Sequence, residues 1–389
     1  MSMASPLLAI LQEKLQTAPH QRLTFAEFME LALYHPTVGY YSSGKVAIGA
    51  QGDFFTATSL GPDFGELLAE QLLQMKQILG RSPFQIVEMG AGKGDLAKDI
   101  LFYLQQHYPK ELEEIEYYII EKSPALRQQQ QEKLAGFSYC KIQWCDWSEL
   151  LENSIQGCFI SNELLDAFPV HLVTVNAGKL QEVYVQYNPA QNALEEVNDS
   201  LSTPEIQAYF DHLNIDFSNY PDGYRTEVNL GMLSWLEQLQ TKLKTGYILT
   251  IDYGHPAAKY YHPQRSQGTL QCYFQHRRHD NPYTNLGEQD LTAHVDFTSL
   301  QNHGESLGLA TLGLTQQGLF LMALGLGDRL NALSQNPTDV MTLFRRRDAL
   351  HQLIDPMGLG GFYVLVQGKN LTNDQLQTSL KGLTQPPMV

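Results

Sequence analysis

The run Glu88-Met89-Gly90-Ala91-Gly92-Lys93-Gly94-Asp95 carries the most specific chemical signal in the chain. It follows an apolar strand-like stretch and opens a segment of helical character. Glycines at such a junction let a ligand approach the backbone, and a helix N-terminus offers unpaired N–H groups. Their spacing selects among ligands. A dinucleotide fingerprint is G-x-G-x-x-G, but here the glycines fall at 90, 92 and 94 and Asp95 holds the third-glycine position. An acid followed by alternating glycines suits an S-adenosylmethionine loop better, with Glu88 as the acid and Ala91 inside the turn. Acids recur at the following strand ends. Glu121, with Lys122 and Ser123 after it, is placed to accept hydrogen bonds from both ribose hydroxyls. Asp146 and Trp147 follow the third strand, where an acid can take an adenine amino group and an indole can stack on the ring. The run from Ser161 to Pro169 follows the fourth strand at the edge of the same cleft. Glu163 and Asp166 in it are three positions apart and would share one face of a helix.

The elements that must hold these residues begin at Pro83, where the texture changes to alternating strands and helices. FQIVEMG, YYIIEK, KIQWC, GCFISN and YILTIDYG read as five strands, and Ser123 with Pro124 opens a helix between the second and third. This alternation predicts an α/β fold with a mostly parallel sheet and helices on both faces. Strands four and five are separated by about eighty residues, far more than an ordinary crossover. HLVTV and QEVYVQY within that stretch alternate like strands, so an inserted α+β subdomain is expected at about 171–228. A helix near 297–307, an apolar helix near 318–333 and the strand GGFYVLVQ close the chain. Residues 1–82 read as an N-terminal helical cap, and 83–389 as the ligand-binding domain. Within the cap, Thr24 and Glu27 form a capping box with Leu23 and Phe28 as its staple, so a helix starts at Phe25 and stops before Pro36. Residues 37–59 form a loop unusually rich in aromatics. A second helix then opens with Pro62 at its first position and buries Phe64, Leu68, Leu72, Met75 and Leu79. The run Gln128–Gln131 reads as polar helix surface.

Composition excludes several classes. The 389 residues carry 26 basic and 42 acidic side chains, a net charge of −16 that repels phosphate backbones, so no nucleic-acid partner is expected. The four cysteines, Cys140, Cys145, Cys158 and Cys272, show neither C-x-x-C nor zinc spacing, so no metal is expected and the thiols read as reduced. No apolar run is long enough to span a bilayer, and the N-terminus lacks a basic leader. The expectation is a cytoplasmic protein without stable membrane insertion. Its oligomeric state is open, with a homodimer among the options.

The blocks FAEFMELALYHPTVGYYSS, GDFFTATSLGPDFGELLAEQL, VEMGAGKGDLAKDIL, YYIIEKSPALRQQQ, SNELLDAFPVHLV, IDYGH, GTLQCYFQHR and DLTAHVDF resemble, in order, those of the MidA family. These are S-adenosylmethionine-dependent methyltransferases related to a mitochondrial complex I assembly factor that methylates arginine. The resemblance implies a class I (Rossmann-like) methyltransferase with a seven-stranded sheet and S-adenosyl-L-methionine as cofactor. It implies that Gly90, Gly92 and Gly94 hold the methionine part and Glu121 the ribose, while Asn162 and Glu163 face the sulfonium. Asp53, Phe54 and Thr56 would close over the cofactor. The implied activity is protein-arginine N-methylation of a respiratory-type NADH dehydrogenase subunit. Glu163 and Asp166 are then candidates to orient the guanidinium bidentately, with Asp53 and His294 behind them and His294 as a proton collector. The alternatives are a non-catalytic assembly chaperone on the same scaffold, a small-molecule methyltransferase and a nicotinamide oxidoreductase. The alternating glycine spacing disfavours the last.

Overall fold

The structure is a computed structural model that describes residues 5–42, 56–275, 277–335 and 340–386. A short strand, β1 (Arg22–Thr24), leads into helix Phe25–Tyr34. The capping box forms there: Glu27 N–H donates to Thr24 Oγ1 at 3.1 Å, and Thr24 N–H donates to the Glu27 carboxylate at 2.8 Å. Helix Asp63–Leu79 follows, with Pro62 as its N-cap rather than its first residue. Strands β2 (Phe84–Met89), β3 (Ile115–Ile120), β4 (Lys141–Cys145) and β5 (Ile155–Asn162) come next. Then β6 (His171–Asn176), β7 (Lys179–Asn188), β8 (Ala193–Asp199) and β9 (Arg225–Val228) precede β10 (Leu243–Asp252). Beyond it lie β11 (Gly254–His255), β12 (Gln271–Phe274), β13 (Arg277–His279), β14 (Asp290–Thr292) and β15 (Val295–Asp296). The chain ends through β16 (Ala310–Gln316) and β17 (Tyr363–Lys369).

The main sheet has seven strands in the order β16-β17-β10-β5-β2-β3-β4. Neighbours from β4 to β10 are parallel, whereas β17 runs antiparallel to both β10 and β16. From β2 the chain moves outward to β3 and β4, then returns to the other side of β2 as β5. Crossovers therefore diverge between β2 and β5, and the crevice at their C-terminal ends is where such sheets bind ligands. Successive residues feed opposite layers, as a pleated strand requires. Ile86, Ile160 and Leu249 pack against helices Asp63–Leu79 and Asp95–His107. Val87, Phe159 and Ile248 pack against helices Leu230–Lys242 and Phe297–Ser306.

Packing redistributes the N-terminal elements. Helix Asp63–Leu79 belongs to the main-sheet core, while Leu7, Leu11, Phe25 and Phe28 share a separate core with Leu172, Val183 and Val185 of the inserted strands. Strand β1 joins those strands directly, with Leu23 opposite Val185 on β7 in a sheet ordered β1-β7-β6-β9 to which β8 adds. Two short helices cannot bury their apolar stripes alone, and the insertion supplies the missing face. The apolar helix expected near 318–333 is two helices, Gln317–Ala323 and Leu326–Gln335. Gly325 between them has φ +105°, a conformation no continuing helix accepts. Sequence periodicity did not reveal β16, helix Val340–Ile354 or the small sheet β13-β12-β14. Among the described residues no helix is long and apolar enough to cross a membrane. The four cysteines are free.

The centre of the sheet depends on two facing glycines. A Cβ on Gly157 of β5 would sit 1.9 Å from the Gln85 carbonyl oxygen, and one on Gly246 of β10 would sit 2.0 Å from that of Gly157. Gly157→Ala is therefore expected to lower unfolding stability by more than about 3 kcal/mol, because backbone rather than a side chain must yield. A urea midpoint matching that of the parent chain would contradict so close an approach.

Candidate active site

The glycine loop occupies the C-terminal end of β2. Gly90, Gly92 and Gly94 have φ of +70°, +52° and +80°, all left-handed, so each substitution would strain the turn. Gly94 N–H closes the turn on the Ala91 carbonyl at 2.7 Å. A Cβ on Gly90 would lie 2.8 Å from Leu164 Cδ1, so the loop is fitted against the end of β5.

A single amide ties this loop to the neighbouring strands. The Gln130 amide nitrogen donates to the Gly92 carbonyl at 2.7 Å and to Glu121 Oε2 at 3.1 Å, while its oxygen accepts from the Trp144 indole at 3.0 Å. Gln130 is fully buried, which corrects its expected place in a polar helix surface. The signal was its spacing, since Gln130 lies four residues before buried Leu134 on one face of helix Pro124–Leu134. Glu121 Oε1 accepts from Ser123 N–H at 2.8 Å, and burial raises its pKa. Ser123 caps the helix through Leu126 N–H at 3.4 Å, and Lys122 is exposed. Glu88 is buried beneath the loop, accepts from the Tyr117 hydroxyl at 2.7 Å and is pushed up to about 7 by burial.

At the end of β4, Asp146 is exposed and caps the short turn Trp147–Glu149. The Trp147 ring packs 6.1 Å from Phe159 at the margin of the sheet core, so more of it is committed to packing than a pure stacking platform requires.

Beyond β5 the expected helix does not form, which corrects the notion that Glu163 and Asp166 share a helical face. Residues 164–168 make a turn, and Pro169 prevents its continuation. Glu163 has φ +51°, unfavourable for a side-chain-bearing residue, and is pinned by its N–H on the Ile251 carbonyl at 2.9 Å. Asp252, unforeseen as a site residue, organises the turn from the end of β10. Its Oδ2 accepts the N–H groups of Leu164, Leu165 and Asp166 at 3.2, 2.9 and 3.3 Å, and its Oδ1 accepts Tyr253 N–H at 2.9 Å. The rule that flagged Glu121, an acid at the end of a buried strand, would have found it.

Three carboxyl groups thus converge. Burial, with Asp166 beside it, pushes Glu163 up to about 8. Burial pushes Asp166 up to about 6, and Asp252 is raised by burial and by its two acidic neighbours. Asn162 Nδ2 donates to Glu163 at 3.2 Å, and the Ala57 backbone also hydrogen-bonds its carboxyl. Tyr253 donates to Asp166 Oδ2 at 2.6 Å, while Tyr34 from the N-terminal helix donates to the Ala167 carbonyl at 2.9 Å. Among the described residues no Lys or Arg pairs with these acids, and Asp166 Oδ1, Asn162 Oδ1 and Ser161 Oγ are buried without a hydrogen-bond partner. The His294 ring lies 5.2 Å from that of Tyr253, and burial with cationic neighbours drives its imidazole down to about 3. Asp53 and Phe54 lie outside the described residues. Thr56 hydrogen-bonds Thr58 at 3.0 Å, one residue before Ala57. Among the described residues no group of side chains is arranged to hold a metal ion.

Two expected outcomes follow. Gln130→Leu leaves the Gly92 carbonyl and Glu121 without their donor, and should weaken S-adenosylhomocysteine binding about tenfold by calorimetry. An unchanged affinity would remove Gln130 from the site. Glu88 binds its proton more tightly folded than unfolded, so its contribution is complete below about pH 4.5 and is lost as pH rises through about 7. Glu88→Gln should flatten that fall in stability by on the order of 3 kcal/mol, and a parallel pH profile for parent and variant would refute the raised pKa.

A family model described as "Putative S-adenosyl-L-methionine-dependent methyltransferase" matches residues 67–315. A Drosophila melanogaster protein named protein arginine methyltransferase NDUFAF7 homolog, mitochondrial, is 30% identical over 89% of this chain and 80% of its own length. The human protein arginine methyltransferase NDUFAF7, mitochondrial, is 27% identical over 97% of this chain and 87% of its own. A Burkholderia thailandensis protein solved with S-adenosyl-homocysteine is 30% identical, with a TM-score of 0.85 over 98% of this chain and 95% of that one. The mitochondrial names of these relatives overturn the expectation of a cytoplasmic protein. Free thiols point to a reducing environment without saying which, so the cue was too coarse for the conclusion. The glycine loop at the sheet's switch point and a match spanning most of the chain agree: this protein belongs to that methyltransferase family and is an S-adenosyl-L-methionine-dependent enzyme.

Proposed function

We propose that the chain is a class I (Rossmann-like) protein-arginine N-methyltransferase. The observation that carries this reading is the group of Asp166 and Asp252, buried at the ends of β5 and β10, with half-buried Glu163 beside them and no cationic partner among the described residues. Buried carboxyls are costly unless a charge or donor completes them, and a guanidinium supplies both in a planar fork. The names of the relatives point the same way.

The residues present fit the cofactor: three left-handed glycines leave backbone open, Glu121 is half-buried beside them, and Asn162 Oδ1 lacks a donor. In this reading Glu88 and Gly90 to Gly94 hold the methionine part, Glu121 with Ser123 the ribose, and Asp146 with Trp147 the adenine. Ala57, one residue after Thr56, joins the site through its backbone contact to Glu163. S-adenosyl-L-methionine, when bound, supplies a methyl group already activated on a sulfonium. The protein's remaining task is alignment and disposal of one proton. Asp166, held by Tyr253, and Glu163, held by Asn162 and Ala57, orient the guanidinium. Glu163 takes the proton the nitrogen loses, since a pKa of about 8 makes its carboxylate a stronger base than that of Asp166, at about 6. His294, held near 3, is not suited to collect it.

The N-terminal elements that pack on the inserted strands, with the insertion at about 171–228, act together in this reading as the acceptor-side cover of a catalytic domain that includes helix Asp63–Leu79. The acceptor is a protein, a subunit of a respiratory-type NADH dehydrogenase, and the family resemblance is its support. The test is transfer of labelled methyl to a purified respiratory NADH dehydrogenase subcomplex, with the modified residue located by mass spectrometry. Glu163→Gln should cut transfer by at least about a hundredfold while S-adenosylhomocysteine affinity stays within about twofold. The parent kcat/KM should rise with pH and level off above about 8, as Glu163 ionises. Label on a residue other than arginine, or unchanged turnover in the variant, would overturn the assignment.

A further inference from the structure

The stretch 255–279 contains Lys259, Arg265, Arg277 and Arg278 and not one Asp or Glu, within a chain of net charge −16. The fold joins this segment to the acidic group through a line of ring contacts and hydrogen bonds. From Asp166 outward, Tyr253 hydrogen-bonds the carboxyl, the His294 ring lies 5.2 Å from Tyr253, and the His255 ring lies 5.0 Å from His294. Arg265 Nη2 stands 3.2 Å from His255 Nε2, and its Nε donates to the Lys259 carbonyl at 3.4 Å. On the other side, Arg278 on β13 pairs with Tyr273 on β12. Tyr273 donates to Gln271, whose amide approaches His294 Nε2 at 3.5 Å.

Among the described residues none of Lys259, Arg265 and Arg278 makes an ion pair. Lys259 and Arg278 are exposed and Arg265 is half-buried. The Nδ1 atoms of His255 and His294 are buried with no hydrogen-bond partner. Both imidazoles are held neutral by burial and by this same field: Arg265 and Lys259 act on both, and Arg278 on His294. The acidic group and these cations therefore stand at opposite ends of one line of contacts, with two neutral rings and a tyrosine between them.

We propose that Arg265, Arg278 and Lys259 form a carboxylate-binding rim that selects acceptor peptides carrying an acidic residue close to the methylated arginine. The proposal rests on the guanidinium reading of the pocket for what lies at its inner end. The two ring-to-ring steps bound the spacing. An extended peptide rises about 3.4 Å per residue, so the acidic residue falls within roughly four positions of the arginine. Opposite charges at the two ends also fix the direction in which a peptide enters, which a uniformly acidic cleft would not do.

The test is calorimetric binding to the full chain loaded with S-adenosylhomocysteine, so that it does not depend on turnover. The probes are Gly/Ser peptides with one central arginine and a glutamate three residues away on either side, each matched to a peptide with glutamine there. The glutamate peptide of one polarity should bind about tenfold tighter than its glutamine partner. An Arg265→Gln/Arg278→Gln double variant should abolish that difference and leave glutamine-peptide affinity unchanged. Equal affinities, no binding of either peptide at millimolar concentration, or a preference the double variant retains would each overturn the rim. So would tighter binding of a single-stranded oligonucleotide through the same two arginines. A preserved glutamate preference without any methyl transfer would instead uphold the rim and count against the arginine-methylation reading.

Discussion

The site is built around an electrostatic mismatch: three carboxyl groups held together in low dielectric with no cation among the described residues to compensate them. Like charges so placed cannot all ionise, and the raised pKa values of Glu163, Asp166 and Asp252 express that conflict. Asp252 is the member that also makes structure. By gathering three successive N–H groups it folds residues 164–166 into the turn that brings Asp166 beside Glu163, and so creates the crowding it shares in. The left-handed backbone at Glu163 adds strain at the same point. A fold retains such features when the surroundings over-determine them, and here the Ile251 carbonyl, the glycine loop against Leu164 and the Tyr253 hydroxyl do so.

The cofactor side follows a different logic. Its groups are tied together by neutral hydrogen bonds through Gln130, which links helix Pro124–Leu134 to the loop after β2, the acid after β3 and an indole of β4 in one step. A neutral, fully bonded amide is well suited to that role. It fixes three strand ends relative to one another without adding charge to a crevice already rich in acids.

Legibility in the sequence followed the range of the interactions. The glycine spacing, the capping box at Thr24, the Ser123 cap and the five leading strands are local patterns, and a linear reading resolves them. Gln130 was hidden because burial of one glutamine among four depends on what its helix packs against. The Glu163–Asp166 pairing was anticipated by the wrong route, since the turn that joins them is nucleated by a residue eighty-six positions away from Asp166. The shared core of the N-terminal helices and the inserted strands was hidden for the same reason. Gly325, whose positive φ divides the helix expected near 318–333, is by contrast a local signal within the apolar run Leu319 to Leu326. Compartment was misjudged because thiol chemistry alone does not separate one reducing environment from another.

The central claim, that the acidic group is a receptor for a cation, is tested most directly by counting protons. Titrating the S-adenosylhomocysteine-loaded protein with an arginine-containing peptide at pH 7, in buffers of different ionisation enthalpy, reads the protons exchanged on binding. Glu163, with a pKa of about 8, is largely protonated at that pH, and a guanidinium beside it must drive the proton off. The account predicts release of about one proton per peptide bound, lost in Glu163→Gln. Binding with no proton exchange, or with proton uptake, would contradict it.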